Sequence, residues 1–386
     1  MRILHTSDWH IGKRLLGRDR MDEQAAVLDE IAAIAERENA ELIVVAGDIF
    51  DTYTPCAEAE ELFYSKIKKI AGESRAVLLI SGNHDDGVRL SASAPLSEEF
   101  GIYVVGNARL PLKIGGVRKT KPVRSGKGFA TFENERGERA FIAALPYPNE
   151  ARFKEEKSPL SYVEQMEKWM NEGAAENTDG LPSILVAHIF VLGGAVSESE
   201  RSIDVGGARA VPVEKLPNCD YIALGHLHKR QHMGKGHCYY CGSPLQYAFD
   251  ESADKCVRLF DLTANGVENL REVPLTSGKK LIRLQANCVE EGLRLLGEYP
   301  DALVELTLYL KEPLSTQEAA TLGAGGNLVS LLTEVKREGE YLPVSRKRFT
   351  DGELFDEYYR FQYGEEADER LKSLFLEALA EADERR

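Results

Sequence analysis

The sequence predicts an α/β layered sandwich, on two observations. Short apolar runs rich in Val, Ile and Leu alternate with amphipathic helical stretches, and most runs end in a polar knot bearing Asp, Asn or His. Ile3-Leu4 opens the series as a buried strand, and Asp22 to Glu38 follows, with Val27, Leu28, Ile31, Ile34 and Ala35 at helical spacing and charges opposite. Leu42 to Ala46 reads as the second strand. A second helix fits Ala57 to Ala71, whose Leu62, Phe63, Ile67 and Ile70 serve either the core or a dimer surface. Val77 to Ile80 and Ile102 to Val105 continue the strands, and Phe129 to Phe132 and Phe141 to Leu145 read as a hairpin. Ile184 to Ala187 and Tyr221 to Leu224 complete the buried runs.

From about Val273 the character changes. Lys280 to Leu284 and Leu303 to Leu310 read as strands and Asn327 to Arg337 as a helix, making a small α/β appendage. Beyond Arg348 come two amphipathic patterns around Tyr363-Gly364: Leu354, Phe355, Tyr358, Tyr359 and Phe361, then Leu371, Leu374, Phe375 and Leu379. They suit a partner surface or packing on the same chain.

At 386 residues the chain holds one large domain plus extras, and 43% hydrophobic with 29% charged residues excludes disordered and fibrous classes. No apolar run approaches the roughly 20 residues that cross a bilayer, and Met1 leads straight into a strand, so a cytoplasmic protein away from membranes is expected. Six dispersed cysteines fit reduced thiols, and Cys238-Tyr239-Tyr240-Cys241 has no second pair to complete a zinc site. The net charge of −15 weighs against unaided nucleic-acid binding, because affinity for phosphate comes from Lys and Arg. Local basic clusters stand at Lys13, Arg14, Arg18 and Arg20, at Arg118, Lys119, Lys121, Arg124 and Lys127, and at Arg346, Lys347 and Arg348.

Five of the eight histidines sit in the knots: Asp8-Trp9-His10, Gly82-Asn83-His84-Asp85, His188 and Gly225-His226-Leu227-His228, joined by Gly47-Asp48-Ile49-Phe50-Asp51. Loops beyond the carboxyl ends of several strands converge on one crevice in such sheets. Carboxylate, imidazole and amide oxygen without thiolate suit Mn²⁺, Fe²⁺ or Zn²⁺. Asp8 with His10, and His226 with His228, are one residue apart, a spacing that in extended backbone aims both side chains the same way. Alone, His188 would more often be a core histidine, Asp85 fits a brace for the Gly-Asn-His turn, Trp9 fits packing, and His5 lies outside the pattern but close enough to support a ligand.

Taken in order, Asp-x-His, Gly-Asp-x-x-Asp, Gly-Asn-His-Asp, an isolated His and Gly-His-x-His resemble the signature of calcineurin-like dimetal phosphoesterases over residues 8 to 228. HTSDWHIGK, VAGDIFDTYTP, SGNHD, YIALGHLHK, YCGSPLQYAFDE and the tail FTDGELFDEYYRFQYGEEADERLKSLF further resemble a family of bacterial nuclease subunits, related to the archaeal and eukaryotic double-strand-break repair nuclease. The resemblance implies two mixed β-sheets flanked by helices in a phosphoesterase domain at 1–275, a DNA-facing capping domain at 276–345 and partner-binding helices at 346–386. It places Asp8, His10 and His228 on one ion, Asn83, His188 and His226 on the other, and Asp48 between them, the two ions most simply Mn²⁺. His84 is then left for transition-state stabilisation, with Asp51 as its orienting group. Implied partners are DNA, a second copy of the chain and a coiled-coil ATPase, with nucleoid association and a role in repair, recombination and replication. Expected activities are exonuclease action on duplex ends and endonuclease action on single strands or hairpins.

The metal signature alone leaves the phosphoester open. Protein phosphatases of this superfamily carry Arg directly after the second Asp of the Gly-Asp motif, whereas Thr52 follows Asp51 here, which weakens a monoesterase. A small-molecule phosphodiesterase is the alternative, and a scaffold that lost its metals is disfavoured by the complete donor set.

Overall fold

The computed structural model describes residues 1–108, 110–148, 159–200, 209–234 and 236–335, with 355, 359–360, 368, 370–372 and 375 beyond them. It divides into a unit at Met1–Val335 and another at Lys336–Arg386. Arg346 to Arg348 and nearly all of the tail patterns lie outside the described residues.

Strands apolar at every position need cover on both faces, and the first ones have it. β1 (Arg2–Thr6), β2 (Leu42–Val45), β3 (Ala76–Ile80) and β4 (Ile102–Val105) pair in parallel. A second sheet carries β5 (Lys121–Gly126), β6 (Phe129–Glu133), β7 (Arg139–Leu145), β8 (Ser183–His188), β9 (Tyr221–Gly225), β10 (Gln231–His232) and β11 (Cys238–Tyr240), in the order β10-β11-β9-β8-β7-β6-β5. β12 (Cys256–Thr263) and β13 (Gly266–Pro274) return antiparallel to β1, so the first sheet reads β13-β12-β1-β2-β3-β4. Both sheets are mixed, and the expected β6–β7 hairpin forms.

Alternate residues of each strand go to opposite layers. Leu42, Val44, Leu78 and Ile80 meet Phe132, Ile142, Ile184 and Val186 between the sheets. Ile43, Val45, Val77 and Leu79 face outward onto helices Met21–Arg37 and Ala57–Ala71. Phe63, Ile67 and Ile70 are spent in that core, so of the face read as core or dimer surface these three serve the core, and Tyr64 remains exposed on the same helix. The outer face of the second sheet takes Met166, Trp169 and Met170 from helix Tyr162–Ala174, opened by a Ser161–Glu164 capping box.

A third sheet is wholly parallel: β14 (Leu281–Ala286), β15 (Leu303–Leu310) and β16 (Leu328–Val335), connected by helices Val289–Glu298 and Thr316–Gly323. β16 replaces the helix expected over Asn327 to Arg337. Leu328, Leu331, Leu332 and Val335 do recur at helical spacing, but Val304 to Leu310 offers a free parallel edge and the pairing prevails. This sheet meets the sandwich where the Leu281 N–H donates to Gln246 Oε1 at 2.9 Å, and Leu15 packs with Leu281, Leu303 and Phe249.

All six cysteines are free, Cys238 and Cys241 both buried. Among the described residues no helix is long and apolar enough to cross a membrane.

Candidate metal centre

The loops after β1 and β2 run side by side beyond the strand ends. Asp8 N–H donates to Gly47 O at 3.0 Å, His10 N–H to Asp48 O at 3.0 Å and Ile11 N–H to Ile49 O at 2.9 Å. This ladder sets the Asp8–His10 loop in register with Asp48. Asp8, His10, Asp48 and His226 all have positive φ, at 53°, 46°, 53° and 110°. The extended backbone expected for Asp8-x-His10 is therefore corrected to a left-handed turn, in which the two side chains still reach one point. Few non-glycine residues adopt that region, and it concentrates where function over-determines the backbone.

Asp8 and Asp48 each brace a neighbouring loop with one oxygen and leave the other for the crevice. Asp8 Oδ1 accepts from His226 N–H at 2.8 Å, while Asp8 Oδ2 is buried without a hydrogen-bond partner. Asp48 Oδ1 accepts from His84 N–H at 2.9 Å, and Asp48 Oδ2 lies 3.4 Å from His10 Nε2 and 3.5 Å from His188 Nε2. His10 Nε2 and His228 Nε2 face each other at 2.9 Å. Asn83 Oδ1 stands 2.9 Å from His188 Nε2 and 2.9 Å from His226 Nδ1. Donor atoms thus gather in two groups that meet at Asp48, and all seven side chains are buried.

The electrostatics match a cation site. Burial alone would raise Asp48, but His188 and His10 hold its carboxyl well below the usual range. Burial likewise disfavours charge on His188, yet Asp48 and the Ala46 carbonyl push it up to about 9. Burial drives Asp8 up to about 6 against the pull of His188 and His228, and His10 down to about 3 despite Asp48. The buried Asp48 carboxylate thus sits against the His188 and His10 rings, a place where a divalent cation would satisfy its charge. The unpartnered Asp8 oxygen and the opposed His10 and His228 nitrogens make the same point, so the residues present fit two divalent ions.

His84 stands beside the donors, its ring edge-on to His10 at 4.7 Å. Its Nδ1–H donates to the Asp51 main-chain carbonyl at 2.7 Å, whereas the Asp51 carboxylate is 3.8 Å away and instead takes Lys13 Nζ at 2.9 Å and lies 3.4 Å from His10 Nδ1. The shorter contact on His84 is therefore to main chain, and the Asp51 carboxylate, expected to orient His84, lies nearer to His10 and Lys13 than to the His84 ring. Asp85 does brace its turn: its carboxylate accepts from Gly82, Ile49 and Phe50 N–H at 2.8, 3.0 and 2.9 Å. Trp9 is buried in the core. His5 is buried too, its Nδ1 bonded to Tyr221 OH at 3.1 Å, a contact between the sheets that serves the core instead of the site.

Sequence reasoning passed over a second ring of side chains. Ser199, Glu200, Glu251 and Lys255 surround His228, and Tyr147 stacks on His226 at 6.3 Å while its hydroxyl accepts from Arg209 at 3.2 Å. Glu251 closes the YCGSPLQYAFDE motif, which was the one signal available. Among the described residues the first two basic clusters are largely neutralised. Lys13 pairs with Asp51, buried Arg20 with Glu23, Arg118 with Glu73, Lys119 with Glu135, Arg124 with Glu176 and Lys127 with Glu172.

Two packed mixed sheets carrying these donors beyond their strand ends define a class, and residues 1–230 match the calcineurin-like phosphoesterase model: the chain belongs to that family. Within it the likeness is narrower. The chain is 36% identical to SbcD of the nuclease SbcCD from Bacillus subtilis, covering 100% of this chain and 99% of that one. Its counterpart in Rhodobacter capsulatus is 34% identical, with 80% and 76% covered, and that of Escherichia coli K12 is 28% identical, with 98% of each covered.

Proposed function

We propose that this chain is the nuclease subunit of an SbcCD-type complex, a phosphodiester hydrolase that cuts DNA with two divalent ions, most simply Mn²⁺. The observation that carries this reading is the donor set meeting at Asp48, in a chain similar along its whole length to a protein named as part of a nuclease. Asp8, His10 and His228 would hold one ion, Asn83, His188 and His226 the other, with Asp48 common to both groups. Two ions so held would supply Lewis acidity, making water a nucleophile at neutral pH and neutralising charge on the phosphate.

The protein residues then do the rest. Asp8 and Asp48 fix the loops of His226 and His84 through main-chain bonds, so the donors are organised before substrate arrives. His84, with Nδ1–H committed to the Asp51 carbonyl, presents Nε2 to the crevice to stabilise the phosphate or return a proton to the leaving oxygen. Residues 276–345 act as the DNA-facing cap and 346–386 as the partner-binding element. A homodimer joined to an SbcC-type coiled-coil ATPase supplies the positive surface that a chain of charge −15, with six of its nine described clustered cations in ion pairs, does not. Exonuclease action on duplex ends and endonuclease action on hairpins or single strands follow from that assembly.

The test is Mn²⁺-dependent cleavage of end-labelled duplex and hairpin DNA, beside a chromogenic phosphodiester and a His84→Ala control, without and with the ATPase partner and ATP. DNA cleavage absent from the control supports the reading. Hydrolysis of the small ester alone, persisting with partner and ATP, replaces it with a small-molecule phosphodiesterase.

A further inference from the structure

We propose that Glu251, acting through the Ser199 hydroxyl, is the positioning residue for His228 and thereby sets the affinity of one of the two metal half-sites. The inference rests on the ligand set assigned above and goes beyond it, because neither residue is a ligand.

The argument is one of hydrogen counting. Glu251 is fully buried, and its Oε2 accepts from Lys255 Nζ at 2.5 Å, itself a buried ammonium that also donates to Ser243 Oγ at 2.9 Å and to the His228 carbonyl at 3.1 Å. A carboxylate so paired only accepts. Ser199 Oγ donates to Glu251 Oε1 at 2.6 Å; Ser197 Oγ, 2.7 Å from Ser199 Oγ, is a neutral acceptor that gives its own hydrogen to Glu200 Oε2 at 2.7 Å, so the carboxylate takes the Ser199 hydrogen. What remains toward His228 Nδ1, 2.5 Å away, is an oxygen lone pair. Nδ1 must then carry the ring proton, which leaves the Nε2 lone pair aimed at the point it shares with His10 Nε2, 2.9 Å off. Without the relay the ring is free to take the other tautomer, with hydrogen where an ion must bind.

Ser199 stands on the connection between β8 and β9, while Glu251 and Lys255 precede β12, so the relay ties His228 to two separate segments. His228 N–H also donates to Glu200 Oε1 at 2.7 Å, which holds the main chain at the same place. The direct gap between His228 Nδ1 and Glu251 Oε1 is 3.6 Å, too long for a hydrogen bond, so the hydroxyl is needed. This gives the Gly242 to Glu251 motif a task at the metal centre in addition to its contact with the third sheet through Gln246.

The test is calorimetric titration of Mn²⁺ into the metal-free full-length chain, with thermal melting in chelator to report the fold. Wild type should bind two ions. Glu251→Gln should weaken one of them by roughly 10- to 100-fold and leave the other unchanged. Because Glu251→Gln strands Lys255, Ser199→Ala provides the same cut with the ion pair intact, and Ser199→Thr, which restores the hydroxyl, should restore the affinity. Two ions bound at wild-type affinity by folded Glu251→Gln or by Ser199→Ala overturn the proposal and leave the proposed function standing. Fewer than two ions on wild type overturn the ligand set itself.

Discussion

His188 and His228 face the same crevice but are held in opposite ways. His188 gives its Nδ1–H to the Ala46 carbonyl at 2.8 Å, and glycines let the main chain close around it: a Cβ on Gly47 would lie 2.3 Å from His188 Nδ1, and one on Gly225 would lie 1.8 Å from the Ala46 oxygen. His228 has no carbonyl at Nδ1 and depends on Ser199, Glu251 and Lys255. One half of the centre is thus built from backbone that moves only with the strands, the other from side chains of distant segments. A half-site of the first kind is rigid by construction; one of the second kind can be tuned by whatever shifts those segments.

The comparison can be broken first at the shared residue. Asp48→Ala should abolish measurable binding of both ions and all hydrolysis, since Oδ2 serves both halves; calorimetry showing one intact site would mean that the halves do not share it. His84 stands within reach of the His10–Asp48 donors but is proposed to belong to neither half, so His84→Ala should keep two ions while turnover falls by roughly 10² to 10⁴-fold. Loss of metal in that variant would make His84 a ligand.

The sharpest contrast comes from Gly47→Ala. Its φ of +90° and the close approach of His188 predict displacement of that ring, so the affinity lost belongs to the half-site that Glu251→Gln spares. On the order of 100-fold is expected. Combining Gly47→Ala with Ser199→Ala should then weaken both sites, each by its single-variant factor.

The effect furthest from the donors is one that the halves share. The loops after β1 and β9 together carry proposed ligands of both halves, and between these strands His5 is buried with its Nδ1 on Tyr221 OH, burial and Arg258 lowering its pKa from 6.5 to about 3. The folded protein keeps His5 neutral, whereas the unfolded chain protonates it below pH 6.5. Its contribution is therefore present above that pH and lost as pH falls toward 3, on the order of 5 kcal/mol across the window. His5→Asn keeps a polar partner for Tyr221 and removes the titration, so its acid-unfolding midpoint, followed by circular dichroism, should move to lower pH.

Much of this is legible in the residues. Apolar runs of four or five ending in Asp, Asn or His locate the strands and the donors together, because few structures besides a convergent polar crevice use such knots repeatedly. The ring around His228 is not legible. Ser199 and Glu251 are 52 positions apart, and a serine or a glutamate at such a distance carries no periodicity. Asp51 draws attention through its carboxylate, but the contact that forms on His84 uses its carbonyl, an atom every residue has. β16 escapes for a different reason: Leu328, Leu331, Leu332 and Val335 follow the helical period, and only the free edge of β15 overrides it.

The ligand assignment is tested most directly by diffraction at the manganese edge from crystals equilibrated with Mn²⁺. The account predicts two anomalous peaks per chain, one bounded by Asp8, His10 and His228, the other by Asn83, His188 and His226, with Asp48 touching both and His84 touching neither. A single peak, or a peak ligated by His84, would contradict it.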